Sequence, residues 1–206
     1  MRDICKRAGA NIAAVNYYFR DKERLYVEAV KHAACGAPGQ APSWPAGTPP
    51  AVKLRDFIHL LVARLMDRNR PEWHTRLMMR EMAQPTSACA ELVRDYIVPM
   101  AAALQGILAE VLPPQTPRWK RFLVGASVVG QCLHHMQNKP IIQLLVGAED
   151  YQRFDAPTLA DHITQFSLAA LGLAPPVGAG PQGASAKGGG TRGRRAGASA
   201  GSAAAN

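Results

Sequence analysis

Acidic residues are scarce in this chain: 15 Asp and Glu stand against 24 Lys and Arg, a formal net charge of +9 with a pI near 9.8. An excess of that sign favours a polyanionic partner. Four of the cations, Lys187, Arg192, Arg194 and Arg195, fall in a Gly/Ala/Ser/Pro tail, which leaves five of the nine charges to residues 1–173. The remaining balance is compatible with DNA binding and not diagnostic of it. The four cysteines, at 5, 35, 89 and 132, show no short paired spacing. Neither a zinc site nor a disulfide framework is implied, and reduced, mostly buried thiols are expected. Apolar runs are broken by charge every few residues and the start carries no signal-peptide pattern, so a soluble, cytoplasmic protein is expected. There is no phosphate loop, no nucleophile beside a base and no spaced carboxylate pair, which argues against an enzyme. His134 and His135 are adjacent and so point about a hundred degrees apart on a helix, a poor arrangement for one metal. His74 with Met78, Met79 and Met82 reads as plastic core or pocket lining, and no metal or cofactor is expected.

What the chain does have is concentrated at its start. Residues 2–25 read as helix, tight turn, short helix and the beginning of a third helix. Gly9 stops the first, because glycine takes the left-handed C-cap conformation without steric cost, and Asn11 can accept a hydrogen bond from the N–H groups that open the second. On the second helix Ile12, Val15 and Phe19 form the expected inward stripe, while Ala13, Asn16, Tyr17 and Arg20 face away. Ala13 and Ala14 let the backbone approach base edges and offer methyl contact to thymine. Asn16 has the paired donor and acceptor that match adenine, and Tyr17 and Arg20 can reach phosphate oxygens. Lys22, where the third helix begins, would join that helix end in holding a phosphate and setting orientation. The same pattern also fits a plain helical hairpin with an incidental polar face.

Ala8-Gly9-Ala10-Asn11, then Val15-Asn16-Tyr17-Tyr18-Phe19, then Lys22-Glu23 and Leu25 resemble the DNA-binding signature of the TetR family of bacterial transcriptional regulators. The departures are Ala10 for the usual Val, Asn11 for the usual Ser, and Asn16 where an aromatic is common. The run Ala13–Tyr17 is also similar to one subgroup, associated with control of drug-efflux genes, whose C-terminal half has its own family description. Members of the family carry a complete helix before the segment that begins here at Met1. The resemblance therefore implies either a start further upstream or a truncated, weakly binding product. Without that helix Ile4, Ile12, Val15 and Phe19 lack a packing partner, a deficit of about 1.5–3 kcal/mol per large side chain.

The rest of the chain divides by punctuation into residues 1–34, a linker at 35–50, a helical domain at 51–173 and a tail at 174–206. A chain of 206 residues with 48% hydrophobic content can bury one good helical core beside a small N-terminal module, and the fold class is all-α. Leu54, Phe57, Ile58, Leu61 and Leu65 keep helical spacing; Pro71 opens a segment with Trp73, Leu77 and the methionines; Val93 to Val111 is a long stripe kinked at Pro99. Thr116-Pro117 reads as a helix start with a hydroxyl N-cap. From Trp119 to Met136 apolar residues fall nearly all round. The last helix, about 157–172, carries Leu159, Ile163, Phe166, Ala170 and Leu171 on one side and lacks an obvious partner in the chain. The composition of the tail cannot offset its ordering entropy, so disorder is expected there.

The family resemblance implies that helices 116–137 and 157–172 pair with their copies in a homodimer, so that two reading helices address a near-palindromic double-stranded operator. It also implies a small apolar or amphipathic effector among the middle helices. Trp73, Met79, Met82 and Tyr96 are candidate walls, with Arg76 and His135 as polar anchors. The function expected is a ligand-responsive repressor released from DNA by its effector. The alternative is a truncated dimeric helical ligand-binding protein with lost or weak DNA binding.

Overall fold

Leu54, Phe57, Ile58 and Val62 recur three and four residues apart, which places them on one stripe of a helix and creates an apolar face that must be covered. In the computed structural model, which describes residues 1–34, 40–67 and 69–178, that stripe is the centre of the molecule. Among the described residues there are eleven α-helices and one π turn, and no strand. The helices are α1 (Arg2–Ala8), α2 (Ile12–Phe19), α3 (Lys22–Ala33), α4 (Pro50–Leu65), α5 (Glu72–Ala83) and α6 (Ser87–Leu92). After the π turn Val93–Ile97 come α7 (Val98–Val111), α8 (Arg118–Gln137), α9 (Lys139–Val146), α10 (Ala148–Tyr151) and α11 (Ala156–Ala170). Expectations for the tail from residue 179, for Cys35 and for linker residues 35–39 lie outside the described residues.

Two cores result. The larger joins α4, α7, α8 and α11 through Leu54, Phe57, Ile58, Leu104, Leu108, Val128 and Ile163. At roughly 1.5–3 kcal/mol for each fully buried large side chain, it is the main source of stability. The smaller core packs Val27, Val30 and Ala34, at and just beyond α3, against Ala88 and Leu92 of α6. Tyr26, Leu77, Met78 and Tyr96 close its sides. α3 thus belongs both to the N-terminal module and to the body.

Pro99 has no N–H to donate and its ring crowds the carbonyl four residues back, so a regular helix cannot run through it. The chain answers with the π turn immediately before it, in which the Val98 N–H reaches back to the Val93 carbonyl. The combined run Ser87–Val111 is long and apolar enough, by length and composition, to cross a membrane. It carries Glu91, Arg94, Asp95 and Glu110, and it buries Leu104, Ile107 and Leu108 against its neighbours, as a core helix does.

Several local expectations are corrected. Thr116 does not cap α8: its own N–H donates to the Pro113 carbonyl at 2.8 Å in a preceding turn, and extended Pro117 is the N-cap. α11 has its partner within the chain, since Leu159, Ala160, Ile163, Thr164 and Ser167 are buried and its principal packing is on α4. Small Ala160 and Ser167 centre the contact away from Phe166, which is left exposed. α8 has one packed face and one open face within the single chain. Gly125, Val128 and Cys132 face inward, while Trp119, Phe122 and Leu123 are open to solvent. The sequence reading assigns nothing to α9 and α10, whose short apolar run is bounded by Asn138 and Gly147.

Candidate nucleic-acid interface

The N-terminal module is specified by its caps. Gly9 sits at φ 62°, ψ 23°, and the Ala10 N–H donates to the Cys5 carbonyl at 3.0 Å, which closes α1. Asn11 is extended and its side-chain oxygen accepts the Ala13 N–H at 2.8 Å, opening α2 after a three-residue turn. Asp21 does the same for α3, accepting the Arg24 N–H at 2.8 Å. Between them Arg20 is the one non-glycine residue with positive φ among the described residues, at 64° with ψ −59°. Backbone strain of that kind amounts to about 1–3 kcal/mol and recurs at functional turns.

On α2 no residue is buried. Ala13, Ala14, Asn16 and Tyr17 are exposed, Tyr17 at 81% of its free surface, and its ring meets that of Tyr18 edge to face. Asn11, Arg20 and Lys22 are exposed as well. The expected inward stripe is only partly inward. Val15 and Phe19 are half-buried, whereas Ile12 is 38% exposed and Ile4 of α1 is 40% exposed. Cys5 alone on α1 is buried. The outward face is therefore uncovered among the described residues, on a module whose own core is thin.

What holds the module to the body is a polar network that the sequence reading missed. Glu81 of α5 is fully buried, and its carboxylate accepts the Tyr26 hydroxyl of α3 at 2.8 Å and the Thr86 N–H at 2.7 Å. The Thr86 hydroxyl donates to it at 2.9 Å while also capping α6. Burial by itself pushes the Glu81 pKa up, but the hydrogen bonds from Thr86, Tyr26 and Cys89 outweigh it and hold the carboxyl below its usual range. Nearby, Arg24 and Lys31 of α3 pair with Glu91 at 2.8 and 3.3 Å, and the Ser87 hydroxyl donates to Glu23 at 2.6 Å. At the other end of α3, Arg70 donates to the Ala33 and Ala34 carbonyls. His74 packs beside Arg70, its pKa lowered by burial and then by the charges of Arg70 and His32. An acidic residue three positions after Met78 on an apolar helix face is the one sequence signal that could have found this network.

The six residues expected around an effector are not brought together. Trp73 stacks on His32 and contacts His74 at the C-terminal end of α3. Arg76 points to solvent, paired with Glu72 at 2.9 Å. Met82 is exposed and Met79 half-buried on α5, Tyr96 borders the smaller core, and His135 lies edge-on to Phe154 beside the larger one. Two open depressions lie elsewhere, one between the starts of α3 and α6 at Lys22, Tyr26 and Thr86, the other on α8 at Arg118, Trp119, Phe122 and Leu123.

Residues 1–29 match the family described as bacterial regulatory proteins, tetR family. Residues 50–171, more than half of the chain, match the C-terminal domain of the HTH-type transcriptional dual regulator CecR. No curated protein matches the chain. The helix-turn-helix and the helical body behind it therefore place this chain in the TetR family of transcriptional regulators, with a C-terminal domain of the CecR type.

Proposed function

We propose that the chain is a cytoplasmic, ligand-responsive repressor that binds a near-palindromic operator as a homodimer and is released by a small apolar or amphipathic effector. One observation carries this reading: α2 presents Ala13, Asn16 and Tyr17 together on a surface that nothing else among the described residues covers. In this reading Asn16 reads a base edge, Ala13 and Ala14 allow close approach, and Tyr17, Arg20, Lys22 and the Asn11 turn fix register on phosphates. Two such heads about 34 Å apart address successive turns of the duplex. The second head comes from a partner joined through the open faces of α8 and α11, where Trp119, Phe122, Leu123 and Phe166 are exposed. Trp73, Arg76, Met79, Met82, Tyr96 and His135 do not share one pocket in the single subunit, so they are not carried forward as the contacts of one effector. Release follows from linkage, the effector binding better to the conformation whose heads are badly spaced.

The test is a gel-shift titration of DNA from the gene's own upstream region over a range of salt. A sequence-specific, salt-dependent shift is expected. A second reading, a dimeric ligand-binding protein with weak DNA binding, is favoured by the exposure of Ile4 and Ile12 beneath the reading helix. It requires dimers and ligand uptake with no shift beyond that of random DNA.

A further inference from the structure

α9 carries Ile141, Leu144 and Leu145 at i, i+3 and i+4, a single stripe, with Ile142 beside it turned inward and buried. The stripe faces solvent: Leu144 is 87% and Leu145 78% exposed, more than any other large apolar residue of the body. α10 begins at Ala148 and carries Glu149 and Asp150 in its first turn, with Asp150 3.8 Å from Arg153 just beyond it. The opposite end of α8 has the complementary character. Trp119, Phe122 and Leu123 form an open apolar depression, and Arg118, Lys120 and Arg121 crowd the first turn. Cations at a helix N-terminus are disfavoured by the helix dipole, and none of these three has an ion-pair partner among the described residues. α8 is 20 residues long, about 30 Å. The apolar stripe with its acids and the apolar depression with its cations therefore belong to opposite ends of α8, and both stand open in the single chain.

We propose that α9 and the start of α10 form an arm that docks on a second copy of this chain. The two α8 helices run antiparallel across the symmetry axis, so the C-terminal end of each lies beside the N-terminal end of the other. Ile141, Leu144 and Leu145 cover Trp119, Phe122 and Leu123 of the second copy, and Glu149 and Asp150 face Arg118 and Lys120. A two-fold axis makes the contact twice, each copy giving an arm and receiving one. The inference rests on the dimer proposed above and adds to it a specific segment, an orientation and a charge pairing.

Sedimentation equilibrium on the full chain tests it, with circular dichroism to show that each variant is folded. The wild type is expected to dimerise. L144S/L145S is expected to weaken the dimer strongly, and E149K/D150K or R118E/K120E each to raise the dissociation constant about tenfold. Joining the two charge reversals in one chain is expected to bring it back to within about threefold of wild type. A wild-type dimer that L144S/L145S and both charge reversals leave unchanged overturns the arm while the dimer stands, and assigns the α9 stripe to another occupant. A wild type that stays monomeric at about 100 μM overturns the dimer itself and the arm with it.

Discussion

Asn16 and Lys22 sit close in the chain and are proposed to do different work on DNA, which makes them separable by experiment. Asn16→Ala removes a paired donor and acceptor from a base edge and is expected to cost about 1–3 kcal/mol of discrimination at one base pair. Lys22→Ala is expected to weaken binding to all sequences alike and to reduce the salt slope by about one. Binding titrations on matched and mutated operators at several salt concentrations distinguish the two effects, and an unchanged affinity in both variants removes α2 as the reading face. Glu81 is the residue whose loss reaches furthest. Glu81→Gln exchanges a carboxylate held by hydrogen bonds from Tyr26 and Thr86 for an amide that cannot accept them all, and is expected to destabilise the fold by about 1–3 kcal/mol in urea titrations at neutral pH. Its folded pKa is lowered, so its contribution is present above the ordinary glutamate value, about 4.3, and is lost as pH falls through the lower folded one. The variant is therefore expected to show a flatter acid limb in stability against pH. Tyr26, raised by burial and then by Glu81, contributes in the opposite sense, its share lost as pH rises through its folded value.

Helix α8 has two kinds of face, and its glycines report on them. A Cβ on Gly125 would lie 2.9 Å from the Gln105 amide nitrogen and 3.3 Å from Leu104, both on α7. The flexible end of Gln105 can move for one methyl, but a branched side chain would force the α7–α8 pair apart. Gly125→Val is expected to cost about 1–3 kcal/mol in thermal or chemical unfolding. Gly130 meets nothing within 4 Å, so Gly130→Ala is expected to raise the stability of the isolated subunit by about 0.5–1 kcal/mol through helix propensity alone. Equal effects of the two substitutions would contradict this division of α8 into a packed and an open side. α3 is likewise two-sided in role: its first turn carries Lys22 toward the reading head, and its middle and end are fixed in the body by Glu81, Glu91 and Arg70.

At the scale of the whole molecule the apolar surface is unevenly distributed. The body buries Leu54, Phe57, Ile58 and Val62 of α4 but leaves the α8 stripe, Phe166 of α11 and the α9 stripe open. Phe122 is 61% exposed, so Phe122→Asp is expected to leave the subunit's melting temperature within a few degrees of wild type while abolishing the proposed dimer, since a carboxylate cannot be buried unpaired in an apolar interface. Light scattering and melting curves together check this. Operator affinity is expected to fall with the dimer, because a single reading head supplies only half of the site.

The turn chemistry of residues 9–11, the exposed stripe of α2 and the apolar periodicity of α4 were legible in the sequence, because each depends on residues within one or two turns of one another. Gly9 and Asn11 act on their own backbone neighbours, and a 3.6-residue repeat needs no tertiary partner to be read. The tertiary structure alone decided which apolar stripes are covered. Leu159 and Ile163, on a stripe whose partner the sequence places in a second copy, are buried on α4, while Leu144 and Leu145 stand open. It alone placed Glu81 between α3 and α6, joining residues 55 positions apart with Tyr26, and it separated Trp73 and Arg76 from His135. Local hydrogen bonding and periodicity are written in adjacent residues; the pairing of faces depends on every helix in the bundle at once.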